Sequence, residues 1–154
     1  MSKNTPLVHL GPSDGKRLDV GKFGFSFKAG LTVGSAYAMA EVSAPPGVVN
    51  ALHRHPNEET MYVLAGEFEM FGEDGERRRV GPGAVMHVPR NAAHGFVNVG
   101  EGTGRLLLVA PVGQEALFDD LSEAMASATP GQSVAAVFAR HHVETGLRPD
   151  AGGR

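Results

Sequence analysis

Three histidines and one glutamate stand at spacings that suit a transition-metal site. His53 and His55 are separated by one residue, Glu59 follows shortly after, and His94 comes later in the chain. Side chains at i and i+2 of a strand project from the same face, about 6.6 Å apart at Cα, so two imidazoles can converge on one ion. Three neutral imidazoles and a carboxylate suit zinc, iron, nickel, manganese or copper, and an octahedral ion so held keeps two positions for substrate or oxygen.

Spacing alone leaves a second interpretation open. The chain has seven histidines, so a His-x-His pair can arise by chance, as two solvated loop histidines with an unrelated third. Glu59 opens the next predicted strand and can offer its carboxylate from there. His94 follows a turn-like stretch, residues 89–93, after an apolar strand. The elements that carry these side chains therefore decide whether they meet.

Short apolar segments separated by Gly, Pro and Asn dominate the chain from about residue 16 to residue 111. They predict strands at 16–20, 23–28, 35–43, 49–55, 59–64, 67–71, 76–80, 84–89, 94–99 and 105–110. Short strands with regular turn signals are typical of an antiparallel sandwich or barrel. Ala65-Gly66 predicts one hairpin, and residues 73–76, with Asp-Gly as the turn former, predict another.

The pattern becomes helical after Pro111. One predicted helix carries an apolar stripe at i, i+4 and i+8, and a second, shorter helix ends near Gly146. Pro130-Gly131 separates the two helices, and residues 147–154 are expected to form a frayed tail. The helices are expected to cap the same core. Their apolar positions are Leu117, Phe118, Leu121 and Met125 in the first, and Val134, Val137 and Phe138, with His141, in the second.

Composition excludes several classes of protein. A length of 154 residues favours one domain, and a net charge of −3 argues against nucleic-acid binding and against a polybasic membrane patch. The absence of cysteine excludes disulfides, thiolate ligands and cysteine nucleophiles. The N-terminus does not read as a signal peptide, and no stretch approaches about 18 consecutive apolar residues, so we expect a cytoplasmic protein with no membrane partner.

The residues around the histidines resemble the two sequence motifs of the cupin superfamily. The first motif is matched by Gly47, His53, His55, Glu59 and Gly66, and the second by Gly83, Pro89, His94 and Asn98. Asn91 stands where the family usually has glycine. Asparagine tolerates positive φ better than most residues, so the turn is expected to survive. Residues 109–118 resemble the tail of small bacterial cupins related to quercetin 2,3-dioxygenase.

The resemblance implies an all-β cupin double-stranded β-helix, or jelly-roll, barrel with short C-terminal helices. One domain would span residues 1–154, with a barrel core at about 16–111, a helical segment at about 112–146 and a tail at 147–154. One divalent transition metal per chain (Fe, Ni, Mn, Zn or Cu) would be bound by His53, His55, Glu59 and His94 in one mouth of the barrel.

The function that the resemblance implies is a metal-dependent, dioxygenase-like oxidoreductase. Its substrate would be a small organic molecule, aromatic or enol-type, with Glu59 as catalytic base. Cupins host many functions, so two alternatives stay open. One is a metal-dependent isomerase, cyclase or lyase that does not use O2, and the other is a non-catalytic small-molecule-binding or sensor cupin.

Three phenylalanines on one predicted strand form an apolar ridge through which two copies of the chain could pair. Phe23, Phe25 and Phe27 would lie on one face of a strand before the first motif. Cupins commonly pair through such N-terminal strands, so the resemblance favours a homodimer. The alternative is that the ridge packs inside its own barrel.

Further predictions concern polar residues near the ligand set. His87 is expected to be a structural or surface histidine, and Arg54, between two ligands, to point away from the metal. Asn98 is a candidate for pocket polarity or for fixing a turn. The charge run Arg77-Arg78-Arg79 is expected to lie on a solvated edge strand.

Overall fold

The computed structural model describes residues 6–127 and 133–149. In these residues the strands precede the two α-helices, as predicted, and most strand ends shift by only one or two residues. The elements are β1 (Lys16–Val20), β2 (Phe23–Ala29), a short 3-10 helix (Leu31–Val33), β3 (Tyr37–Ala44), β4 (Val49–His53), β5 (Glu59–Ala65), β6 (Phe68–Gly72), β7 (Arg77–Val80), β8 (Val85–Val88), β9 (His94–Asn98), β10 (Gly104–Pro111), α1 (Gly113–Ala126) and α2 (Val134–Arg140). The predicted break at Pro130-Gly131 and residues 150–154 of the predicted tail lie outside the described residues.

Two antiparallel sheets form the barrel. The larger sheet has the order β1-β2-β3-β10-β5-β8, and the smaller has the order β4-β9-β6-β7. Alternate side chains along the strands face the space between the sheets, since successive residues of a strand point to opposite faces. Phe27, Val63, Phe68 and Leu106 are buried there. The predicted all-β barrel with short C-terminal helices is confirmed.

One of the two predicted hairpins is wrong. β5 pairs with β10 and β8 in the larger sheet, whereas β6 pairs with β9 and β7 in the smaller one. The chain therefore crosses between sheets at Ala65-Gly66. A Cβ on Gly66 would lie 2.8 Å from the Cα of Gly104, so the crossing needs glycine. Asp74-Gly75 does join the paired strands β6 and β7, as predicted.

The phenylalanine ridge of β2 packs inside the barrel. Phe25 and Phe27 are buried, and Phe23 is half-buried against the same core. The ring of Phe25 lies 4.5 Å, centroid to centroid, from that of Phe118 on α1. The alternative interpretation of the ridge is therefore confirmed. These side chains give no support to pairing, and the homodimer stays a prediction.

A buried carboxylate fastens α1 to the barrel. Glu115 is fully buried, and its Oε1 accepts a hydrogen bond from Lys16 Nζ at 2.6 Å. Its Oε2 accepts from the backbone N–H of Leu31 at 2.9 Å. Beyond this ion pair, α1 and α2 share a small apolar cluster that includes Leu117, Leu121, Val137 and Val143. Among the described residues, no helix has the length and apolar character needed to cross a membrane.

The second helix ends earlier than the sequence predicts. α2 ends at Arg140, six residues before the expected stop at Gly146. His142 takes the left-handed conformation, with φ of 55°, that a glycine usually supplies at a helix end. The N–H of Val143 then donates to the carbonyl of Phe138 at 2.8 Å, which closes the last turn.

Candidate metal centre

The three predicted histidine ligands meet at one end of the barrel. His53 is the last residue of β4 and His94 is the first residue of β9. The predicted strand 49–55 ends early because Arg54 pairs with Glu144 instead of with β9, so His55 lies just beyond the strand. The ligand nitrogens of the three histidines nevertheless lie within 4.8 Å of one another. Their convergence confirms a candidate metal site of three histidines.

Backbone carbonyls fix the ring orientation of all three histidines. Each Nδ1 lies within hydrogen-bond distance of a carbonyl oxygen two residues away, so Nδ1–H donates and Nε2 faces the cluster. Metal-binding histidines in proteins are held by their other ring nitrogen in this way. The donor set therefore fits a divalent transition metal. The acceptors for His53, His55 and His94 are the carbonyls of Ala51, Asn57 and Ala92, at 2.8, 2.8 and 2.9 Å.

Glu59 is buried against two of the histidines. Its Oε1 lies 2.9 Å from His94 Nε2, and its Oε2 lies 3.5 Å from His55 Nε2. Burial by itself would raise the pKa of this carboxyl, but the hydrogen bonds to His55 and His94 outweigh burial and lower the pKa to about 2. The Glu59 side chain is therefore an ionised carboxylate beside the candidate metal site.

The histidines differ in how readily they take a proton. Burial, with the neighbouring His94, lowers the pKa of His53 to about 4, so this ring is neutral and its Nε2 lone pair is free at neutral pH. Burial also lowers the pKa of His55, but the hydrogen bond and charge of Glu59 outweigh it and raise this pKa above its ordinary value. His55 therefore takes up a proton more readily than His53, because Glu59 lies beside it.

A cavity of about 710 Å³ opens beside the cluster. Its polar end is formed by His53, His55, Glu59 and Gln114. The remaining walls are mainly apolar and come from β2, from the barrel strands and from both helices. Ligand sites of this size are commonly apolar with a few placed polar groups. The apolar lining includes Phe23, Phe25, Met61, Phe96, Leu108, Phe118, Leu121, Met125, Phe138 and Val143.

Sequence reasoning missed Gln114. This residue lies in the first turn of α1 and its side chain is 1% exposed. Its Nε2 lies 3.4 Å from His55 Nε2 and 3.5 Å from Glu59 Oε2, and its Oε1 accepts from Asn57 Nδ2 at 2.8 Å. A glutamine at a helix start carries no local signal of burial. Only the docking of α1 on the barrel brings its amide into the cluster.

The turn before His94 forms around Asn91. Asn91 has φ of 61°, the left-handed conformation that the family's usual glycine would adopt. Its backbone N–H donates to the carbonyl of His55 at 2.9 Å. The expectation that asparagine preserves this turn is confirmed. The turn also ties the second motif directly to the first.

The remaining predicted residues lie outside the candidate site. Asn98 is buried and fixes a turn, since it donates to the carbonyls of Ala44 and Gly102 and accepts from the N–H of Gly100. His87 is exposed on β8, where its Nδ1 lies 2.8 Å from Thr60 Oγ1. The Arg54 guanidinium points away from the cluster to Glu73, at 2.7 Å. The three arginines of the edge strand β7 are solvated and pair with Glu67, Glu69 and Glu76.

The fold and the site together define a cupin barrel with a candidate three-histidine metal centre. Residues 40–110 match the sequence model of the family Cupin_2, described as a cupin domain. The chain is 35% identical over 91 residues to the "Cupin-domain-containing oxidoreductase fogC" of Aspergillus ruber, across 57% of this chain and 44% of that protein. It is 40% identical over 53 residues to the "Dimethylsulfoniopropionate lyase DddQ" of Ruegeria pomeroyi, across 34% of this chain and 26% of that protein.

A solved structure has a similar fold. The polyketide cyclase RemF from Streptomyces resistomycificus superposes with a TM-score of 0.63 at 27% identity, over 70% of this chain and 80% of that chain. The chain spans less than half the length of the two curated relatives it matches. Residues 40–110 are thus similar to a cupin domain, and the barrel shares the fold of RemF.

Proposed function

We propose that this chain is a metal-dependent enzyme that acts on a small, mainly apolar molecule bearing an acidic enol or phenol hydroxyl. The observation that carries the proposal is the position of the histidine cluster and of Glu59 at one end of a largely apolar cavity of about 710 Å³. Oxygen-dependent cleavage of the substrate is the proposed reaction. The similarity to a protein named as an oxidoreductase supports this choice.

The proposed ligands are His53, His55, His94 and, as a fourth, Glu59. The ion is one divalent transition metal per chain, from among iron, nickel, manganese, zinc and copper. When bound, such an ion supplies Lewis acidity, which lowers the pKa of a hydroxyl group held next to it.

Glu59 is the proposed proton acceptor. Its carboxylate lies at the polar end of the cavity, with Oε1 2.9 Å from His94 Nε2 and Oε2 3.5 Å from Gln114 Nε2. A substrate hydroxyl placed there gives its proton to this carboxylate. A substrate that fills the mainly apolar cavity displaces water from it, which strengthens the attraction between the carboxylate and that proton.

A second reaction, cyclisation without O2, is favoured by one specific observation. The chain shares its fold and 27% of its aligned residues with RemF, named as a polyketide cyclase. The same carboxylate would then remove a proton from a ketone-bearing chain that the apolar walls hold folded. The non-catalytic binding protein is the third outcome that the experiment below separates.

Substrate screening with metal-loaded protein tests the proposal. Tag-free protein is loaded separately with each of the five metals and incubated with flavonols, dihydroxyaromatics, 1,3-diketones, longer poly-β-ketones and sugar acids. Uptake of O2 with two oxygen atoms in the product is the expected result. Loss of water without O2 uptake supports the cyclase instead. Stoichiometric binding of a cell metabolite, with no turnover by protein loaded with any of the five metals, would overturn the proposal of an enzyme and support a non-catalytic binding protein.

A further inference from the structure

The side-chain amide of Gln114 enters the cluster from outside both histidine motifs. Gln114 also lies beyond residues 40–110, the part of the chain that matches the cupin domain. Its Nε2 is 3.5 Å from Glu59 Oε2 and 3.4 Å from His55 Nε2, in a position that is 1% exposed. Buried polar side chains are nearly always hydrogen-bonded, so the partners of this amide indicate what it does.

The direction of the amide follows from its partners. An ionised carboxylate only accepts hydrogen bonds, so the NH2 group of Gln114 has to face Glu59 and its carbonyl has to face away. That carbonyl, Oε1, accepts from Asn57 Nδ2 at 2.8 Å. Turning both amides over would place a carbonyl oxygen against the carboxylate. The hydrogen bonds therefore run in one direction, from Asn57 to Gln114 and from Gln114 to Glu59.

The backbone that carries Gln114 is also fixed. The next residue, Glu115, is fully buried and is held by Lys16 Nζ at 2.6 Å and by the N–H of Leu31 at 2.9 Å. The first turn of α1 is thereby tied to β1 and to the 3-10 helix. A side chain on such a turn can hold its partner in one orientation, because neither its backbone nor its amide is free to move.

Metal binding would break some contacts of the Glu59 carboxylate and leave another in place. Two of them are to Nε2 of His55 and of His94, the nitrogens that the proposed ion would occupy. The contact from the Gln114 amide to Glu59 Oε2 uses no histidine lone pair. It is therefore the contact that persists when the histidines are engaged.

We infer that Gln114 is a positioning residue that fixes the Glu59 carboxylate against the histidine cluster, and that Asn57 fixes Gln114 in turn. The inference rests on the proposed metal site, and its test needs no substrate. It assigns α1, the first of the two helices that follow the barrel, a part in orienting the carboxylate. Loss of the amide leaves the carboxylate free to rotate.

Cobalt binding to the full chain tests this inference. The variants are Gln114→Met, which keeps length but removes the donor, Asn57→Ser, and the double variant. Ala124→Gly is the matched control, since it loosens α1 without touching the cluster. Gln114→Met should bind Co²⁺ about 10- to 100-fold more weakly, as outer-shell substitutions do, with shifted visible absorption bands. Asn57→Ser should show a smaller effect, and the double variant should be no worse than Gln114→Met, because the two residues act in series.

Two results overturn the inference. One is a Gln114→Met protein whose Co²⁺ affinity and spectrum equal those of Ala124→Gly, and the other is additive losses in the double variant. If the wild-type protein takes up no Co²⁺, the proposed metal-dependent function fails, and nitrogen NMR of the histidine rings in the metal-free protein decides the inference. Gln114→Met should then move the Nε2 signal of His55 relative to Ala124→Gly, and an unmoved signal overturns the positioning role.

Discussion

Glu59 Oε1 lies 2.9 Å from His94 Nε2, although the two residues are 35 positions apart in the chain and belong to different sheets. Glu59 begins β5 in the larger sheet, and His94 begins β9 in the smaller one. The carboxylate beside the three-histidine cluster therefore comes from the opposite sheet of the barrel. An ion bound to the cluster stabilises the folded state by an amount that grows with the logarithm of its affinity, since the unfolded chain does not bring the histidines together.

The first prediction concerns the histidine ligands. His94→Ala should lower the affinity for a divalent transition metal by about 100-fold or more, since even outer-shell changes cost 10- to 100-fold. His87→Ala, at an exposed histidine on β8, is the matched control and should retain one ion per chain. Elemental analysis after growth in metal-supplemented medium measures both. Less than a tenth of an equivalent in the wild-type protein would contradict the metal site itself.

The second prediction separates catalysis from binding at Glu59. Glu59→Gln should keep the fold, because the two side chains are nearly isosteric, and should weaken metal binding by removing one negative ligand. At equal metal content, turnover should fall by about 10²- to 10⁴-fold, because an amide cannot accept the substrate proton. Turnover per bound metal that matches the wild type would show that Glu59 acts only as a ligand.

The third prediction concerns the stability of the metal-free protein at acid pH. Burial holds the pKa of His53 at about 4, below its ordinary value of 6.5. Between these two pH values the unfolded chain binds a proton at His53 and the folded chain does not. The free energy of unfolding should therefore fall as pH drops from 6.5 towards 4, by on the order of 1–3 kcal/mol from this group. The raised pKa of His55 adds stability that is fully present below pH 6.5 and is lost as pH rises above that value, so it does not change the slope between pH 6.5 and pH 4.

Urea unfolding across this pH range checks the sign. His53→Asn removes this contribution, so between pH 6.5 and pH 4 its free energy of unfolding should fall less steeply than that of the wild type. His87→Asn serves as the control for loss of a histidine. Parallel curves for the wild type and His53→Asn would contradict the assignment.

The fourth prediction compares the two carboxylates that contact Lys16. Glu115 is fully buried, whereas the Asp119 side chain is 42% exposed. Glu115→Ala should cost about 3–5 kcal/mol, because it leaves the Lys16 ammonium and the Leu31 N–H without their buried partner. Asp119→Ala should cost less than about 1 kcal/mol, as exposed ion pairs do. Equal losses in chemical denaturation would show that Lys16 is held mainly by Asp119.

The sequence by itself determined the order of the elements and the histidines that cluster. Strand periodicity and turn residues are local properties, and they located nearly every element within two residues. The spacing of His53 and His55 predicted their convergence even though β4 ends between them. Asn91 could likewise be assigned its positive φ, since the conformational range of a residue depends on its own side chain.

Only the tertiary structure decided which elements became neighbours. Ala65-Gly66 marks a sharp change of direction, but whether the next strand pairs with β5 or crosses to the other sheet depends on partners far along the chain. The inward face of the phenylalanine ridge follows from the docking of Phe118 on Phe25. Gln114 joins the cluster because α1 is held by Lys16, from the other end of the barrel sequence. Contacts between residues distant in sequence are set by packing, and no local pattern encodes them.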